Sequence, residues 1–193
     1  LLDLNIEEID IHSFLIEYRD TLEVRGQNFY SVEYLWDKDA VTEFELSHVS
    51  IEGDKELLRK CFDNIVENAE KHAFDHAINS DNKIQIYLMF DLTDFSIQID
   101  FSNTGKQMPK NMTHDKLIRK GSSVGVSSGD GIGMWYVNEV MKIHKGKLSY
   151  TDETGPEGIL GEYVTTIELT IPIIPFVWKN IMSFGLMMNI TNW

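Results

Sequence analysis

Apolar residues recur at helical spacing in three stretches of the chain, residues 9–22, 57–69 and 134–144. Within each stretch they follow one another three or four positions apart, which places them on one face of an α-helix. Asp54 precedes the second stretch as a candidate N-cap, and Gly146 follows the third as a candidate terminator. The pattern therefore predicts three amphipathic helices.

Six shorter runs are predicted strands, because they alternate in polarity or are rich in β-branched and aromatic residues. They are Tyr30–Leu35, Thr42–Val49, Lys83–Phe90, Phe95–Phe101, Lys147–Thr151 and Tyr163–Pro172. In the fourth run, apolar residues alternate with Ser96, Gln98 and Asp100. We therefore expect one buried face there and place Asp100 on the face toward solvent.

Residues 102–131 form a long Gly-, Ser- and Lys-containing segment with only a short helical signal near 112–119. Loops this long inside a domain are usually functional lids or disordered. Neither a repeat nor a linker is evident before Pro172. We predict one domain over residues 1–172, followed by an apolar tail, 173–193, of unassigned role.

Composition narrows the class of protein. The formal net charge of −14 argues against binding to nucleic acid or anionic lipid, although a nucleotide can still bind through local amides and cations. The single cysteine, Cys61, excludes an intrachain disulfide and a cysteine-based zinc site, which fits a cytoplasmic setting. No stretch reaches the roughly 20 apolar residues that span a bilayer. Because the chain begins with Leu1, we expect a piece of a larger protein.

The first candidate functional segment, residues 64–72, lies in the second predicted helix. Four-residue spacing puts Asn64 above Asn68 on one helix face, with Lys71 and His72 close by. Carboxamide oxygens are hard ligands that suit Mg²⁺, and an ammonium group neutralises phosphate. The face suits a magnesium–triphosphate, but an ordinary polar helix surface explains it equally well when the segment is taken alone.

Two further segments carry glycines. In residues 101–109, Asn103 can accept a hydrogen bond from an exocyclic amine, and Gly105 lets a flat base approach the backbone. An ordinary Asn-Thr-Gly turn is the alternative. In residues 129–134, three alternate glycines precede a helix, so that backbone N–H groups and the helix dipole favour phosphate. This motif is weak alone, and it does not fit a Rossmann fold because it follows a loop late in the chain.

Taken in this order, the three segments resemble the N, G1 and G2 boxes of the GHKL ATPase superfamily, and within it the catalytic domain of sensor histidine kinases. The resemblance covers roughly residues 3–172. It implies the Bergerat ATP-binding fold, an α/β two-layer sandwich of a mixed, largely antiparallel five-stranded sheet and three helices. It also implies the cofactors ATP and Mg²⁺.

The resemblance assigns roles to individual residues. Asn68 would hold Mg²⁺, Asn64 and Lys71 would lie near the phosphates, and His72 would sit at the edge of the pocket. The other implied nucleotide-binding residues are Asn103, Gly105, Met108, Gly129, Gly131, Ile132, Gly133 and Thr165, with Thr166 as an alternative to the last. The segment Lys106–Gly129 would be the ATP lid, whose cations are Lys110, Lys116, Arg119 and Lys120.

One departure from the family pattern concerns the second box, where Asp-x-Gly-x-Gly reads Asn103-Thr104-Gly105-Lys106-Gln107. An asparagine accepts the adenine amine hydrogen bond with less charge than an aspartate, so we expect weaker affinity. Gln107 in place of glycine indicates a different lid hinge.

The first box separates a kinase from a hydrolase. Hydrolytic members of the superfamily carry a water-activating Glu four residues before the magnesium Asn, where this chain has Asn64. Glu67 points about 100° away from Asn68 around the helix. This favours phosphotransfer to a protein. An anti-sigma-factor-type serine kinase and a degenerate nucleotide-binding or docking module of the same fold remain alternatives.

The phosphoacceptor histidine is expected outside this chain. His12 lacks the family's surroundings, since Ser13, Phe14 and Leu15 follow it, and a surface or packing role is favoured. The implied partners are the dimerisation domain of the same protein and a response regulator. We expect a monomeric fragment and a cytoplasmic domain, for which a membrane-bound sensor is one setting.

Overall fold

The computed structural model describes residues 4–38, 40, 49–75, 81–91, 94–121, 131–151 and 163–173. Most of the predicted strand Thr42–Val49, Gly129 of the third segment and nearly all of the apolar tail lie outside these residues.

The described elements follow the predicted order, except that two short strands, Glu7–Asp10 and Ser50–Gly53, were not predicted. The elements are β1 (Glu7–Asp10), α1 (Ile11–Arg25), β2 (Ser31–Trp36), β3 (Ser50–Gly53), α2 (Lys55–Asn68), β4 (Lys83–Asp91), β5 (Ser96–Asn103), α3 (His114–Leu117), α4 (Gly133–Ile143), β6 (Lys147–Thr151) and β7 (Thr165–Pro172). A π-helical turn, Ala69–Ala73, continues α2.

The start of the first helix differs from its prediction. The side chain of Asp10 accepts a hydrogen bond from the Ser13 N–H at 2.8 Å, so Asp10 is the N-cap and α1 begins at Ile11. Ile9, which was predicted to lie in the helix, pairs with Ile51 of β3 instead. Ile9 of β1 is buried in the same core as the apolar residues of α1. The helical spacing of apolar residues therefore extends into β1.

Five strands form a mixed sheet in the order β2-β4-β5-β7-β6. Only the β2–β4 pair is parallel, and the other three pairs are antiparallel. β1 and β3 form a separate two-stranded antiparallel ladder. The predicted fold class, a mixed five-stranded sheet with helices, is confirmed.

The core lies between the sheet and the long helices. Phe101 of β5 packs against Phe62 of α2, with ring centroids 5.1 Å apart, and against Tyr18 of α1 at 6.4 Å. Four residues of α4 join the same buried cluster: Met134, Val137, Val140 and Met141. Burial of an aromatic or aliphatic side chain stabilises the fold by about 1.5–3 kcal/mol, so this layer holds the polar site residues in place.

The opposite face of β5 is more buried than predicted. Asp100 is half-buried rather than fully solvent-facing, and it accepts a hydrogen bond from Gln98 Nε2 at 2.9 Å. Burial, together with a smaller effect of the facing carboxylate of Glu168, raises the pKa of Asp100 to about 6, although the hydrogen bond from Gln98 acts in the opposite direction. Asp100 is half-buried because β5 is the central strand of the sheet and has a neighbouring strand on each side.

Candidate functional site

The start of α2 is fixed by three hydrogen bonds around its N-cap, Asp54. The Asp54 carboxylate accepts from the backbone N–H groups of Leu57 and Asn5, each at 3.0 Å. The Asp54 N–H donates to Nε2 of the buried His144 at 2.9 Å. His144 Nδ1 donates to the Val140 carbonyl, so α2 is attached to the end of α4. The apolar stripe of α2 then faces the core, which leaves its asparagine face half-exposed.

The turn that follows Asn68 is wider than an α-helical turn. The Phe74 N–H donates to the Ala69 carbonyl at 3.0 Å, an i→i+5 bond. Such π-helical turns are rare and concentrate at functional sites. The sequence pattern carried no signal for this turn, which alters the direction of Lys71 and His72, both of which are exposed.

Lys71 has a partner in this structure. Its ammonium donates to Glu67 Oε2 at 2.8 Å, and both side chains are largely exposed. Because exposed ion pairs contribute only about 0–1 kcal/mol, the ammonium can exchange Glu67 for a phosphate at little cost.

The third segment lies against the first. A Cβ added at Gly133 would lie 3.1 Å from Asn64 Oδ1 and 3.7 Å from Asn68 Nδ2. Asn64 Nδ2 donates to the Lys60 carbonyl at 2.7 Å, which orients the carboxamide. The beginning of α4 thus faces both asparagines, and a side chain at residue 133 would require the Asn64 carboxamide to shift by a few tenths of an ångström.

The N-terminus of α4 has backbone donors with no side-chain cap. Its N-cap residue, Ile132, makes no capping hydrogen bond, whereas α1, α2 and α3 are capped by Asp10, Asp54 and Thr113. Among the described residues no side chain caps these N–H groups, and first-turn N–H groups together with the helix dipole favour an anion at this position. The Ile132 side chain is 42% exposed, which fits an apolar lining of a pocket.

The second segment is attached to the end of the π-helical turn. The Lys106 N–H donates to the Ala73 carbonyl at 2.8 Å. Gly105 has φ +104°, and a Cβ there would lie 2.3 Å from the same carbonyl oxygen. Both the backbone conformation and the contact require glycine at this position.

Asn103 ends β5 and is buried, with 8% of its surface exposed. Its side-chain Nδ2 donates to the Thr104 carbonyl at 2.8 Å. Thr165 of β7 is paired directly with Asn103 of β5, and the two side chains point to the same face of the sheet. Thr166 points to the other face and is hydrogen-bonded to Ser102 at 2.8 Å. Of the two threonines predicted for the adenine pocket, Thr165 is the one beside Asn103.

The described part of the predicted lid, Lys106–Gly121, contacts two elements. His114 Nε2 donates to the Leu148 carbonyl of β6 at 2.9 Å, and Tyr150 donates to the Met112 carbonyl at 3.1 Å. Met108 is half-buried against the core.

At its other end the lid contacts the start of α4. Lys120 Nζ lies 4.5 Å from the centroid of the Trp135 ring, and the Gly121 N–H donates to the Gly131 carbonyl at 3.1 Å. Lys110 and Arg119 are exposed, and Lys116 donates to the Asn111 carbonyl. The sequence carried no signal for the Lys120–Trp135 contact.

His12 has a packing role, in agreement with its prediction. Its ring nitrogen Nδ1 is hydrogen-bonded to the Tyr34 hydroxyl at 2.7 Å, and its ring lies 4.2 Å from that of Trp36. Burial lowers the pKa of His12, and Asp10 partly offsets this effect.

The family model for histidine kinase-, DNA gyrase B- and HSP90-like ATPases matches residues 53–174. The chain belongs to this ATPase family. The resemblance drawn from the three segments is therefore confirmed. No curated protein sequence matches the chain.

Solved histidine kinases share the fold. The mycobacterial sensor histidine kinase MprB superposes with a TM-score of 0.64 at 16% identity, over 88% of this chain and 98% of that chain. The catalytic domain of histidine kinase ThkA gives 0.67 at 14% identity, over 90% and 99%. Full-length ShkA in complex with AMPPNP gives 0.64 at 14% identity, over 89% of this chain but 32% of its own.

Two features are absent from the described residues. None of the helices there has the length and apolar character that crossing a membrane requires. That part of the chain also contains no group of three or more His, Cys, Asp or Glu residues placed to hold a metal ion.

Proposed function

We propose that this chain is the ATP-binding catalytic domain of a sensor histidine kinase, and that it transfers the γ-phosphoryl group to a histidine of a dimerisation domain outside the chain. The observation that carries the proposal is the position of Gly133 against Asn64 and Asn68. This contact places uncapped helix donors beside a carboxamide pair, which is an arrangement suited to a magnesium–triphosphate.

In this proposal each segment contacts a different part of the nucleotide. The backbone N–H groups at Gly131 and Gly133, together with those at Gly129, bind the phosphates, and Lys71 adds positive charge. Asn103 accepts the adenine amine beside Thr165 and Gly105. Met108 and Ile132 contact the base or lid, and His72 lies at the edge of the pocket.

The donor set fits Mg²⁺. This ion usually keeps only one or two protein ligands and takes the rest from phosphates and water. Asn68 supplies one carboxamide oxygen, and the described residues lack the acidic cluster that would hold a metal without nucleotide. When bound, the ion would neutralise charge on the phosphates, and Asn64 would remain near them.

Phosphoryl transfer requires mainly positioning and charge neutralisation from the protein. The α4 N-terminus and Lys71 supply both without a covalent step on this chain. Residue 64 cannot act as a general base that activates water, because Asn64 is a carboxamide and its nitrogen donates to the Lys60 carbonyl. The hydrogen bond from Lys71 lowers the pKa of Glu67, which makes this carboxylate a weaker base. These features favour kinase over hydrolase activity.

The partners follow from the same proposal. They are the dimerisation domain of the same protein, which carries the phosphoacceptor, and a response regulator. We also propose a cytoplasmic domain that ends near Pro172 and is monomeric without its dimerisation helices. The relative ShkA was solved in complex with AMPPNP, an ATP analogue, which supports nucleotide binding by this fold.

A docking module of the same fold is the second candidate, because Asn103 and Gln107 replace the family's Asp and Gly. Calorimetry with ATP–Mg²⁺ and ADP tests both. We expect micromolar binding to the wild type, lost in Asn68→Ala and weakened in Asn103→Ala. Asn138→Ala, an α4 asparagine outside the three segments, is the matched control. No binding at millimolar nucleotide would reject the kinase and leave the docking module.

If ATP binds, radiolabelled γ-phosphate and a histidine kinase dimerisation domain supplied in trans test the transfer itself. Acid-labile label on that domain, absent with Asn68→Ala, is the expected result. Acid-stable label on a serine would instead identify the anti-sigma-factor-type kinase.

A further inference from the structure

Two acidic residues lie beside the asparagine face of α2. Asp63 directly precedes Asn64, and Glu70 directly precedes Lys71. Arg25, the last residue of α1, reaches both: its Nη2 lies 2.5 Å from Glu70 Oε2, and its Nη1 lies 3.6 Å from Asp63 Oδ1. The end of α1 is therefore attached to both ends of the segment that carries the candidate ligands.

The position of Glu70 gives this attachment a specific consequence. Glu70 is the second residue of the π-helical turn Ala69–Ala73, and Lys71 is the third. A single π-helical turn is an uncommon conformation. The Arg25 guanidinium is placed to stabilise it, because its planar fork of donors can bind two carboxylates in a defined geometry.

The Arg25–Glu70 ion pair is also less exposed to solvent than the Lys71–Glu67 pair. The Glu70 side chain is 19% exposed, whereas Glu67 in the Lys71 pair is 43% exposed. Tyr18 donates to the Asp63 carboxylate at 3.0 Å, which fixes that partner as well. Arg25 also offsets part of the negative charge of two carboxylates that would otherwise repel a polyphosphate nearby.

We propose that Arg25 is a positioning residue of the nucleotide site, which acts through Glu70 to hold the π-helical turn and thereby present Lys71 to the phosphates. This inference rests on the proposed function. Arg25 lies before the part of the chain that the family model matches, residues 53–174. It adds an element outside that match to the site.

The chain provides a matched control for an α1–α2 ion pair. Arg59, in the first half of α2, lies 2.7 Å from Glu17 of α1. This pair joins the same two helices and is also partly exposed, but Arg59 lies ten residues, or nearly three turns, before the π-helical turn. Arg59→Gln therefore removes a comparable pair without touching the site.

The test compares Arg25→Gln, Glu70→Gln and Arg59→Gln by amide hydrogen exchange without nucleotide, and by titration with ATP–Mg²⁺ and with adenosine. For Arg25→Gln and Glu70→Gln we expect faster exchange of the Phe74 amide. We also expect ATP affinity to fall about tenfold, while adenosine affinity changes less than about twofold. Arg59→Gln should change neither, and the reversed pair Arg25→Glu with Glu70→Arg should restore part of the ATP affinity.

Three outcomes would overturn the inference: unchanged exchange at Phe74, equal losses for ATP and adenosine, or the same losses in Arg59→Gln. Equal losses would identify a purely structural ion pair. If the wild type binds no ATP, the proposed function fails and so does the assignment to a nucleotide site. The exchange data then still decide whether Arg25 holds the turn.

Discussion

Gly133 of α4 lies so close to Asn64 of α2 that a Cβ at residue 133 would come within 3.1 Å of the Asn64 carboxamide oxygen. This contact determines the spacing between the uncapped α4 N-terminus and the asparagine face. Two helices that are separated by 64 residues of sequence, 69–132, therefore come together at one place.

Gly133→Ala should weaken ATP–Mg²⁺ binding by about tenfold, because Asn64 must shift to accommodate the methyl group. Folding stability should change by less than about 1 kcal/mol, since alanine is favourable within a helix. Calorimetry and thermal unfolding measure the two effects. Unchanged affinity would show that the Gly133–Asn64 spacing does not matter for nucleotide.

Gly105→Ala should be strongly destabilising. The residue has φ +104°, and the new methyl group would meet the Ala73 carbonyl oxygen at 2.3 Å. We expect a loss of more than about 2 kcal/mol in urea unfolding. Gly121→Ala is the control, because Gly121 has φ +78° but no atom of the described residues lies within 4 Å of its added Cβ. It should lose only about 1 kcal/mol, and equal losses in the two variants would contradict the contact argument.

His144→Ala should lower the free energy of unfolding by about 2–4 kcal/mol, because it leaves the buried Asp54 N–H without its acceptor and opens a cavity. His114→Ala is the comparison, since His114 is exposed and its ring donates a hydrogen bond to the Leu148 carbonyl of β6. It should cost less than about 1 kcal/mol in the same urea titration. A small effect at His144 would mean that the α2 cap tolerates its loss.

Asp100→Asn should change the pH dependence of stability. The pKa of Asp100 is about 6 in the folded chain, above its ordinary value, chiefly because of burial. The folded state then binds the proton more tightly, so the contribution of Asp100 to stability falls as pH rises from about 4 to 6. Asp100→Asn should therefore unfold like the wild type near pH 4 but be about 1–2 kcal/mol more stable at pH 7.5. If Asp100→Asn and the wild type had the same thermal midpoint as each other at both pH values, the burial of the Asp100 charge would be refuted.

Glu67→Gln should raise ATP affinity by releasing Lys71 from its ion pair. The expected gain is about twofold to threefold at low salt and less at high salt, because exposed pairs are weak and screened. Glu139→Gln is matched to it, since Glu139 binds Lys142 on the surface of α4 in the same way. A gain in both variants would indicate a general effect of net charge.

Much of the fold could be read from local patterns, because a helix and a strand each bury residues at a fixed period. The helix after Asp54, the strand Lys147–Thr151 and the helix after Gly133 were predicted with nearly the observed limits. The order of the three segments likewise indicated the ATPase family. At Ile9, a strand and the following helix both bury apolar residues in one core, so the spacing of apolar residues alone could not locate the boundary between them.

The sequence by itself determined the elements, the order of the segments and the types of ligand they offer, since each depends on residues close together in the chain. Only the tertiary structure decided which of them meet. The β5–β7 register placed Thr165 rather than Thr166 beside Asn103, the neighbouring strands left Asp100 half-buried, and the packing of α1 placed Arg25 on Glu70. These outcomes depend on packing between distant segments, where contacts rather than local spacing set the free energy.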